Sequence, residues 1–241
     1  MTPHQRTVLS VELGRTRYGE CLQVQRRALD LRSRGRIPDV LLMTEHDHVY
    51  TLGAGGEADH LLASEEELRR RGAEFVRTDR GGGITYHGPG QLVGYPILDL
   101  TDYNADLHRY LRDLERVIIL ALGDFGIAGS RVPGYSGVWV GHDKICALGI
   151  RTRRWITMHG FALNISTDLS YFGRIIPCGI FDMGVTSMQE ALGREVRAEE
   201  VTSAVRLQFG RVFGARVEEV GVRAFERLLD AACYSETVAA A

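Results

Sequence analysis

The segment from Arg80 to Gln91 places five glycines within twelve residues and constrains the fold more than any other part of the chain. Glycine permits positive φ and close backbone approach, so backbone N–H groups can converge on a ligand there. The segment lacks the Gly-Lys-Ser/Thr of a phosphate-binding loop and the GxGxxG spacing of a dinucleotide site. It therefore predicts either a ligand-binding loop between two strands or a plain glycine hairpin.

Hydrophobic periodicity predicts a chain of alternating strand and helix segments. Strand patterns cover 40–43, 49–52, 75–78, 84–87, 91–99, 137–140, 144–152 and 155–165, and helix patterns cover 17–34, 64–71, 105–122, 186–192, 198–213 and 223–234. We expect Ser64 and Asn104 to cap two of these helices. The order fits an α+β fold, with a mixed, mostly antiparallel sheet flanked by helices, better than regular βαβ alternation. We expect residues 1–184 to form a catalytic α/β domain and residues 185–241 a smaller, mainly helical portion packed on it.

The composition argues against several classes of protein. Hydrophobic residues make up 44% and charged residues 25% of the chain, as in an ordinary globular protein. A net charge of −2 argues against a nucleic-acid binder that works by bulk positive charge. No apolar run approaches the ~18 residues that span a membrane, and the start of the chain lacks a signal peptide's basic-then-apolar pattern. We therefore expect a cytoplasmic protein that binds neither nucleic acid nor membrane.

Lysine is almost absent from the chain. Of the 29 lysine and arginine residues, only Lys144 is a lysine. Genome composition explains the arginine excess but not this exception. An amine can lose its proton near neutral pH, whereas a guanidinium cannot. Lys144 is therefore either a candidate for proton transfer or a chance surface lysine.

Cys178 is the cysteine whose setting suggests chemistry. It lies between Pro177 and Gly179, which predicts a tight, accessible turn. A nearby cation lowers the pKa of a thiol and makes it a nucleophile, and Lys144 could supply that cation and shuttle the proton. Free cysteines are more often inert small hydrophobic residues, which is the interpretation we prefer for Cys21, Cys146 and Cys233. The scattered spacing also argues against a disulfide framework or a paired zinc site.

Three further patterns carry weaker predictions. The small residues of the strand patterns, Gly149, Gly160 and Ala162, leave room that an apolar tail needs. The histidines at 46, 48 and 60 lack further ligands at a telling spacing, so we interpret them as a polar turn and expect no metal. The arginines at 69–71 and 151–154 are typical of solvated faces, or could dock an acidic partner protein.

Four ordered segments together resemble the octanoyl-carrier-protein:protein octanoyltransferases of lipoate biosynthesis. They are RGGGITYHGPGQLVGYPILDL at 80–100, DKICALGIR at 143–151, MHGFALNIS at 158–166 and IPCGI at 176–180. The resemblance runs from about residue 40 to about residue 190. Four motifs in one order make it far more specific than any single glycine loop.

The resemblance implies a fold like the catalytic domain of biotin and lipoate protein ligases. It also implies that Cys178 carries an acyl thioester, that Lys144 lowers the pKa of this cysteine, and that no cofactor takes part. Implied substrate contacts are Arg80, Gly81, Gly82, Gly83, Ile84, Thr85, Tyr86, His87, Ala147, Leu148, Gly149, Gly160, Phe161 and Ala162. The implied donor is octanoyl-acyl carrier protein, and the implied acceptors are the lipoyl domains of 2-oxoacid dehydrogenases and the glycine cleavage H protein.

Three other functions stay open on the sequence. An ATP-dependent lipoate or biotin ligase also uses a lysine after a glycine-rich loop, but it has no need of Cys178. An amidotransferase that moves lipoyl groups between proteins would use the same cysteine with a different donor. A non-catalytic acyl- or carrier-protein-binding module would use the glycine segment but no reactive thiol. We expect a monomer, because no exposed apolar stripe stands out.

Overall fold

The computed structural model describes residues 6–176 and 184–239. The strands of this part of the chain are β1 (Arg6–Thr16), β2 (Asp39–His46), β3 (Val49–Leu52), β4 (Glu74–Arg77), β5 (Ile84–His87), β6 (Gln91–Ile97), β7 (Val138–Val140), β8 (Asp143–Arg153), β9 (Ile156–Asn164) and β10 (Ala215–Glu219). The helices are α1 (Tyr18–Ser33), α2 (Glu65–Arg70), α3 (Leu107–Asp124), α4 (Met188–Leu192), α5 (Ala198–Phe213) and α6 (Val222–Ala239).

Two sheets organise these elements. The large sheet has seven strands in the order β10-β1-β2-β6-β9-β8-β7, and the small sheet has the order β4-β3-β5. In the large sheet β1 pairs in parallel with β10 and β2, and the other four pairings are antiparallel. The predicted class, a mixed and mostly antiparallel sheet flanked by helices, is confirmed.

Helices cover both faces of the large sheet because its central strands are apolar on both sides. In β2, Leu41 and Met43 face a core shared with α3 and α5. The alternate residues Val40 and Leu42 face a second core shared with α1 and α6, as the two-residue period of a strand requires. A third, smaller core lies against the small sheet. The glycine segment that joins the two sheets is thereby held against a rigid platform.

The N-terminal caps of two helices show where local sequence signals were sufficient to predict the capping residue. Ser64 caps α2 as predicted, and its hydroxyl accepts a hydrogen bond from the Glu67 N–H at 3.2 Å. The predicted cap Asn104 is wrong, because Asp106 caps α3 and its carboxylate accepts from the N–H groups of His108 and Arg109. Both residue types are good caps, and one side chain that satisfies two N–H groups decides between them.

The sequence patterns do not predict β1 and β10, which form one side of the large sheet. Their partners are distant in sequence, since Val8 pairs with both Asp39 and Val217. β10 lies in the C-terminal portion, where α5 and α6 pack on opposite faces of the same sheet. Residues after 184 thus supply an edge strand as well as helices, and the division at residue 184 stays a prediction.

Candidate active site

A cavity opens between the glycine segment and strands β6, β8 and β9. The empty space in and around it, open solvent at the mouth included, is about 860 Å³. Lys144 lines it together with most of the predicted substrate contacts, namely Arg80, Gly82, Gly83, Ile84, Thr85, His87, Ala147, Leu148, Gly149, Gly160, Phe161 and Ala162. Gly81 and Tyr86 are not part of this wall. The structure thus brings together residues from 80 to 162, and their contact with substrate stays a prediction.

The glycines of the segment let the small sheet lie directly against β8. The Gly81 N–H donates to the Ile150 carbonyl at 2.9 Å, and the Gly53 N–H donates to the Gly83 carbonyl at 3.1 Å. A Cβ on Gly149 would lie 2.9 Å from the Gly81 oxygen. Part of the room expected for an apolar tail is therefore occupied by backbone, and Gly149 is required for this close packing.

The Arg80 side chain connects the glycine segment to Thr51 of the small sheet by hydrogen bonds. Its side chain is buried, and its guanidinium donates to the Thr51 carbonyl at 2.6 Å and to the Thr51 hydroxyl at 2.8 and 3.2 Å. A further bond reaches the Gly81 carbonyl at 3.1 Å. Since a planar guanidinium can direct several donors at once, Arg80 shapes one end of the cavity while carrying its positive charge into the wall.

A buried chain of hydrogen bonds runs from the glycine segment to Lys144. The His87 Nδ1 lies 2.8 Å from the Gln91 Oε1, and the Gln91 amide donates to the Asn164 Oδ1 at 2.9 Å. Asn164 donates to the Thr186 carbonyl at 3.0 Å, and the Thr186 N–H donates to the Lys144 carbonyl at 3.0 Å. Burial holds the pKa of His87 well below its usual value, so the ring is neutral and Nδ1 carries the donated hydrogen.

Lys144 enters the cavity from the start of β8. Its Nζ lies over the indole ring of Trp139, 4.8 Å from the ring centroid, a cation–π distance. The backbone N–H of Lys144 donates to the Gly184 carbonyl at 2.9 Å, and Lys144 pairs with Val185 in a parallel bridge. Gly184, six residues after Cys178, therefore lies directly beside Lys144.

Cys178 itself lies outside the described residues. The described chain stops at Ile176, whose N–H donates to the His60 carbonyl at 2.9 Å, and resumes at Gly184 beside Lys144. Cys21 and Cys146 agree with the inert interpretation, since both are buried and burial raises the pKa of their thiols, whereas Cys233 is only partly buried and its inertness stays a prediction.

Tyr86 supports the cavity from behind. Its ring stacks on Tyr171 at 4.7 Å and lies edge-on to Phe172 at 5.4 Å, and Phe172 lines the cavity. Its hydroxyl lies 2.6 Å from the His48 Nδ1. The Tyr86 side chain belongs instead to the small core, together with Tyr50.

The interpretation of the HxH pattern as a polar turn is wrong for His46, which ends β2 and is fully buried. The His46 Nε2 lies 2.7 Å from the Tyr95 hydroxyl, and burial lowers the pKa of His46 to about 4. The ring of His48 stacks on Tyr171 at 4.5 Å. No group of three potential metal ligands occurs within residues 6–176 and 184–239.

Sequence reasoning missed several cavity residues on β6 and β9. Gln91, Val93 and Tyr95 alternate along β6 and all three line the cavity. A two-residue period applied to this segment would have identified them. His159 also lines the wall, with a positive φ of 58° that no sequence pattern indicates.

The arginines at 151–154 lie at the far end of β8 from Lys144. Arg153 lies nine positions after Lys144, a span of about 30 Å at the rise of a strand. Arg151 pairs with Asp79, whose other carboxylate oxygen lies 2.9 Å from the His159 Nε2. Part of this group therefore braces the cavity wall, and docking of a partner by Arg153 and Arg154 stays a prediction.

No helix in the part of the chain that the structure describes is long and apolar enough to cross a membrane.

The structure resembles solved lipoate ligases in fold. A bipartite lipoate protein ligase from Thermoplasma acidophilum matches with a TM-score of 0.71 at 17% identity, covering 94% of this chain and 91% of that one. A lipoate-protein ligase A with bound ATP matches with a TM-score of 0.68 at 17% identity, covering 94% and 93%.

Sequence relatives are much closer. Octanoyltransferases match at 50% identity in Solibacter usitatus (202 residues, 84% of this chain and 91% of the relative) and at 52% in Rubrobacter xylanophilus (203 residues, 83% and 91%). The octanoyltransferase of Gloeobacter violaceus is 49% identical over 211 residues, 87% of this chain and 92% of the relative. The model of the lipoyl protein ligase A/B catalytic domain matches residues 17–210. The chain therefore belongs to the lipoyl protein ligase A/B catalytic domain family, and the family predicted from its motifs is confirmed.

Proposed function

We propose that this chain is an octanoyltransferase of lipoate biosynthesis that moves an octanoyl group from acyl carrier protein to a lysine of a lipoyl domain, through a thioester on Cys178. The observation that carries the proposal is the placement of the single lysine. Lys144 lies in the wall of the cavity, with Gly184 and Val185, which follow Cys178, paired beside it. Relatives at about 50% identity support the transferase class and the octanoyl group.

The first half-reaction forms the acyl-enzyme. The Cys178 thiolate attacks the carbonyl carbon of the octanoyl thioester and gives a tetrahedral oxyanion. When this intermediate collapses, the bond to the carrier sulfur breaks and the Lys144 ammonium protonates the departing thiolate. Backbone N–H donors near Leu148 and Gly149 are candidates to stabilise the oxyanion, a contribution of about 3–4 kcal/mol per donor in other acyl transfers.

The second half-reaction forms an amide. The amine of the acceptor lysine attacks the Cys178 thioester, and the bond to sulfur breaks as the C–N bond forms. Lys144, neutral after the first step, accepts the proton that the attacking nitrogen loses, and the thiolate is regenerated. Proton transfer of this kind contributes roughly 10²- to 10⁴-fold to rates. The donor thioester is already activated, so the reaction needs no ATP.

The cavity walls suit an apolar acyl chain. Leu148, Phe161 and Ala162 supply apolar surface along β8 and β9, and burying a methylene group contributes about 0.8 kcal/mol. A lipoyl domain of a 2-oxoacid dehydrogenase or the glycine cleavage H protein would present its lysine at the Lys144 end. Cytoplasmic location and a monomeric state stay predictions from the sequence.

The decisive experiment incubates the protein with octanoyl-acyl carrier protein alone. Mass spectrometry is expected to show one octanoyl adduct that hydroxylamine removes, and Cys178→Ser is expected to lack it. Addition of a lipoyl domain should discharge the adduct without ATP. An absolute requirement for ATP would identify a ligase instead. Discharge only when lipoyl-protein is the donor would identify an amidotransferase, and an unreactive thiol would identify a binding module.

Lys144→Arg separates charge from proton transfer. The guanidinium keeps a positive charge near the cavity but does not release a proton near neutral pH. We expect transfer to fall by about 10²-fold or more while the protein stays folded. Transfer near the wild-type rate would refute the role of Lys144.

A further inference from the structure

A buried carboxylate lies in the middle of α3. The Glu115 side chain is 1% exposed, on a helix face otherwise occupied by the apolar residues Leu114, Val117 and Ile118. An ionised carboxylate is strongly disfavoured in such a place unless it is paired and hydrogen-bonded. Its partners therefore indicate what it does.

The Glu115 carboxylate holds the loop from 131 to 137. One oxygen accepts from the Arg112 guanidinium and from the Arg131 Nε, each at 2.7 Å. The other accepts from the backbone N–H of Gly137 at 3.1 Å. Arg131 also donates to the Arg112 carbonyl at 2.8 Å. The loop is thus tied to α3 at both of its ends.

The end of this loop packs against the Lys144 side chain. A Cβ built on Gly137 would lie 3.4 Å from the Lys144 Cε and 3.2 Å from the Trp139 ring, so the Gly137 backbone packs on both side chains. Trp139 follows two residues later, is fully buried and carries the Lys144 amine over its ring. Trp139 is itself fixed by reciprocal backbone bonds with Ser130 at 2.8 and 2.9 Å.

The charges of Glu115 and Lys144 both act on the buried Cys146 thiol. Cys146 lies beside Lys144 on β8, and burial raises the pKa of its thiol. Lys144 opposes this shift and Glu115 adds to it. Ser136, from the loop that Glu115 holds, lines the cavity that Lys144 also lines. The loop that Glu115 holds therefore contributes to the same cavity wall as Lys144.

We propose that Glu115 is a positioning residue, which holds the 131–137 loop and thereby orients the Lys144 amine in the cavity. The proposal rests on the function proposed above for its catalytic consequence, but not for the positioning itself. Glu115 touches no reacting atom, and it acts through Gly137 and Trp139.

The single lysine provides a direct readout. Protein labelled with ¹³Cε-lysine gives one side-chain NMR signal, and we expect the ring current of Trp139 to displace it in the wild type because the amine lies over that ring. Glu115→Gln keeps an acceptor for the Gly137 N–H but loses both ion pairs, and Glu115→Ala loses everything. We expect the displacement to decrease in the order wild type, Gln, Ala. We expect kcat for octanoyl transfer to fall in the same order, at least tenfold for Ala, with KM changing less than threefold.

The matched control is Asp113→Asn, which removes a carboxylate of α3 that pairs with Arg109 at 3.8 Å and interacts with Arg131 of the loop through its charge rather than a hydrogen bond. It should leave the lysine signal and kcat unchanged. If Glu115→Ala does not fold, Glu115→Gln alone decides. An unmoved lysine signal in a folded variant overturns the proposal, whatever happens to kcat. A moved signal with wild-type kcat supports positioning and instead overturns the catalytic role of Lys144.

Discussion

Gln91 is the central member of the buried chain of hydrogen bonds, and Gln91→Leu tests how much that chain stabilises the fold. The wild-type side chain is 2% exposed and serves His87 Nδ1, the Asn164 Oδ1 and the Tyr86 carbonyl, the last at 3.2 Å. Leucine has similar size but bonds to none of them. A donor on His87 and an acceptor on Asn164 would then be buried without these partners.

The expected magnitude follows from those two groups. Each buried polar group left without a partner costs about 1–3 kcal/mol, and the greater hydrophobic burial of leucine offsets about 1 kcal/mol. We therefore expect the free energy of unfolding to decrease by about 1–5 kcal/mol. Urea titration at constant pH measures it as a shift of the midpoint at constant slope.

Gln208→Leu is a matched control for this prediction. Gln208 is 3% exposed and donates to the Asp124 carboxylate at 2.7 Å. Asp124 is exposed, so water can replace the lost donor and the cost should stay below about 1 kcal/mol. Equal effects of the two substitutions, or a smaller effect at Gln91, would refute the reasoning. Asn164→Leu combined with Gln91→Leu should cost less than the sum, because the second change removes the group that the first left unpaired.

Three further predictions concern stability and pH. Burial lowers the pKa of His46 to about 4. The unfolded chain takes up this proton near pH 6.5, so stability present above that pH is lost as pH falls towards 4, by up to about 3 kcal/mol. His46→Gln should flatten the decline in urea titrations between pH 7 and 4.5, and an unchanged slope would contradict the assignment. Gly94→Ala places a Cβ in steric overlap with the Phe161 ring and should lower stability by about 1–3 kcal/mol, seen as a lower Tm; an unchanged Tm would show that the ring moves freely. Arg80→Lys loses the bonds to Thr51 that need a planar fork and should lower Tm, whereas an equal Tm would mean that charge alone suffices.

Local signals predicted the helices well because their causes lie within a few residues. The strand patterns around β8 and β9 were also correct, since adjacent antiparallel strands repeat a short-range pattern. The cap of α3 failed between two suitable side chains, Asn104 and Asp106. β1 failed because its stability comes from β2 and β10, and β10 lies about two hundred residues away in the sequence.

The residues of the candidate site likewise divide into those that local sequence signals indicated and those that they did not. Lys144 and Cys178 are candidates from residue type and setting, and the glycine segment is a candidate from its composition. Glu115 carried no signal, because a glutamate in an amphipathic helix is ordinary until its burial is known. His159 and Tyr18 line the cavity through contacts between elements far apart in the chain.

By itself, the order of residues determined the family, the helices, most of the strands and the two side chains on which the proposed chemistry rests. These follow from motifs and periodicities that act over a few residues. Only the tertiary structure decided which residues line the cavity. It also decided that the glycine segment packs its backbone against β8, and that the buried Glu115 carboxylate on α3 binds the loop that contacts Lys144. Such contacts join residues that are far apart in the chain, and their energies depend on burial and geometry that exist only after folding.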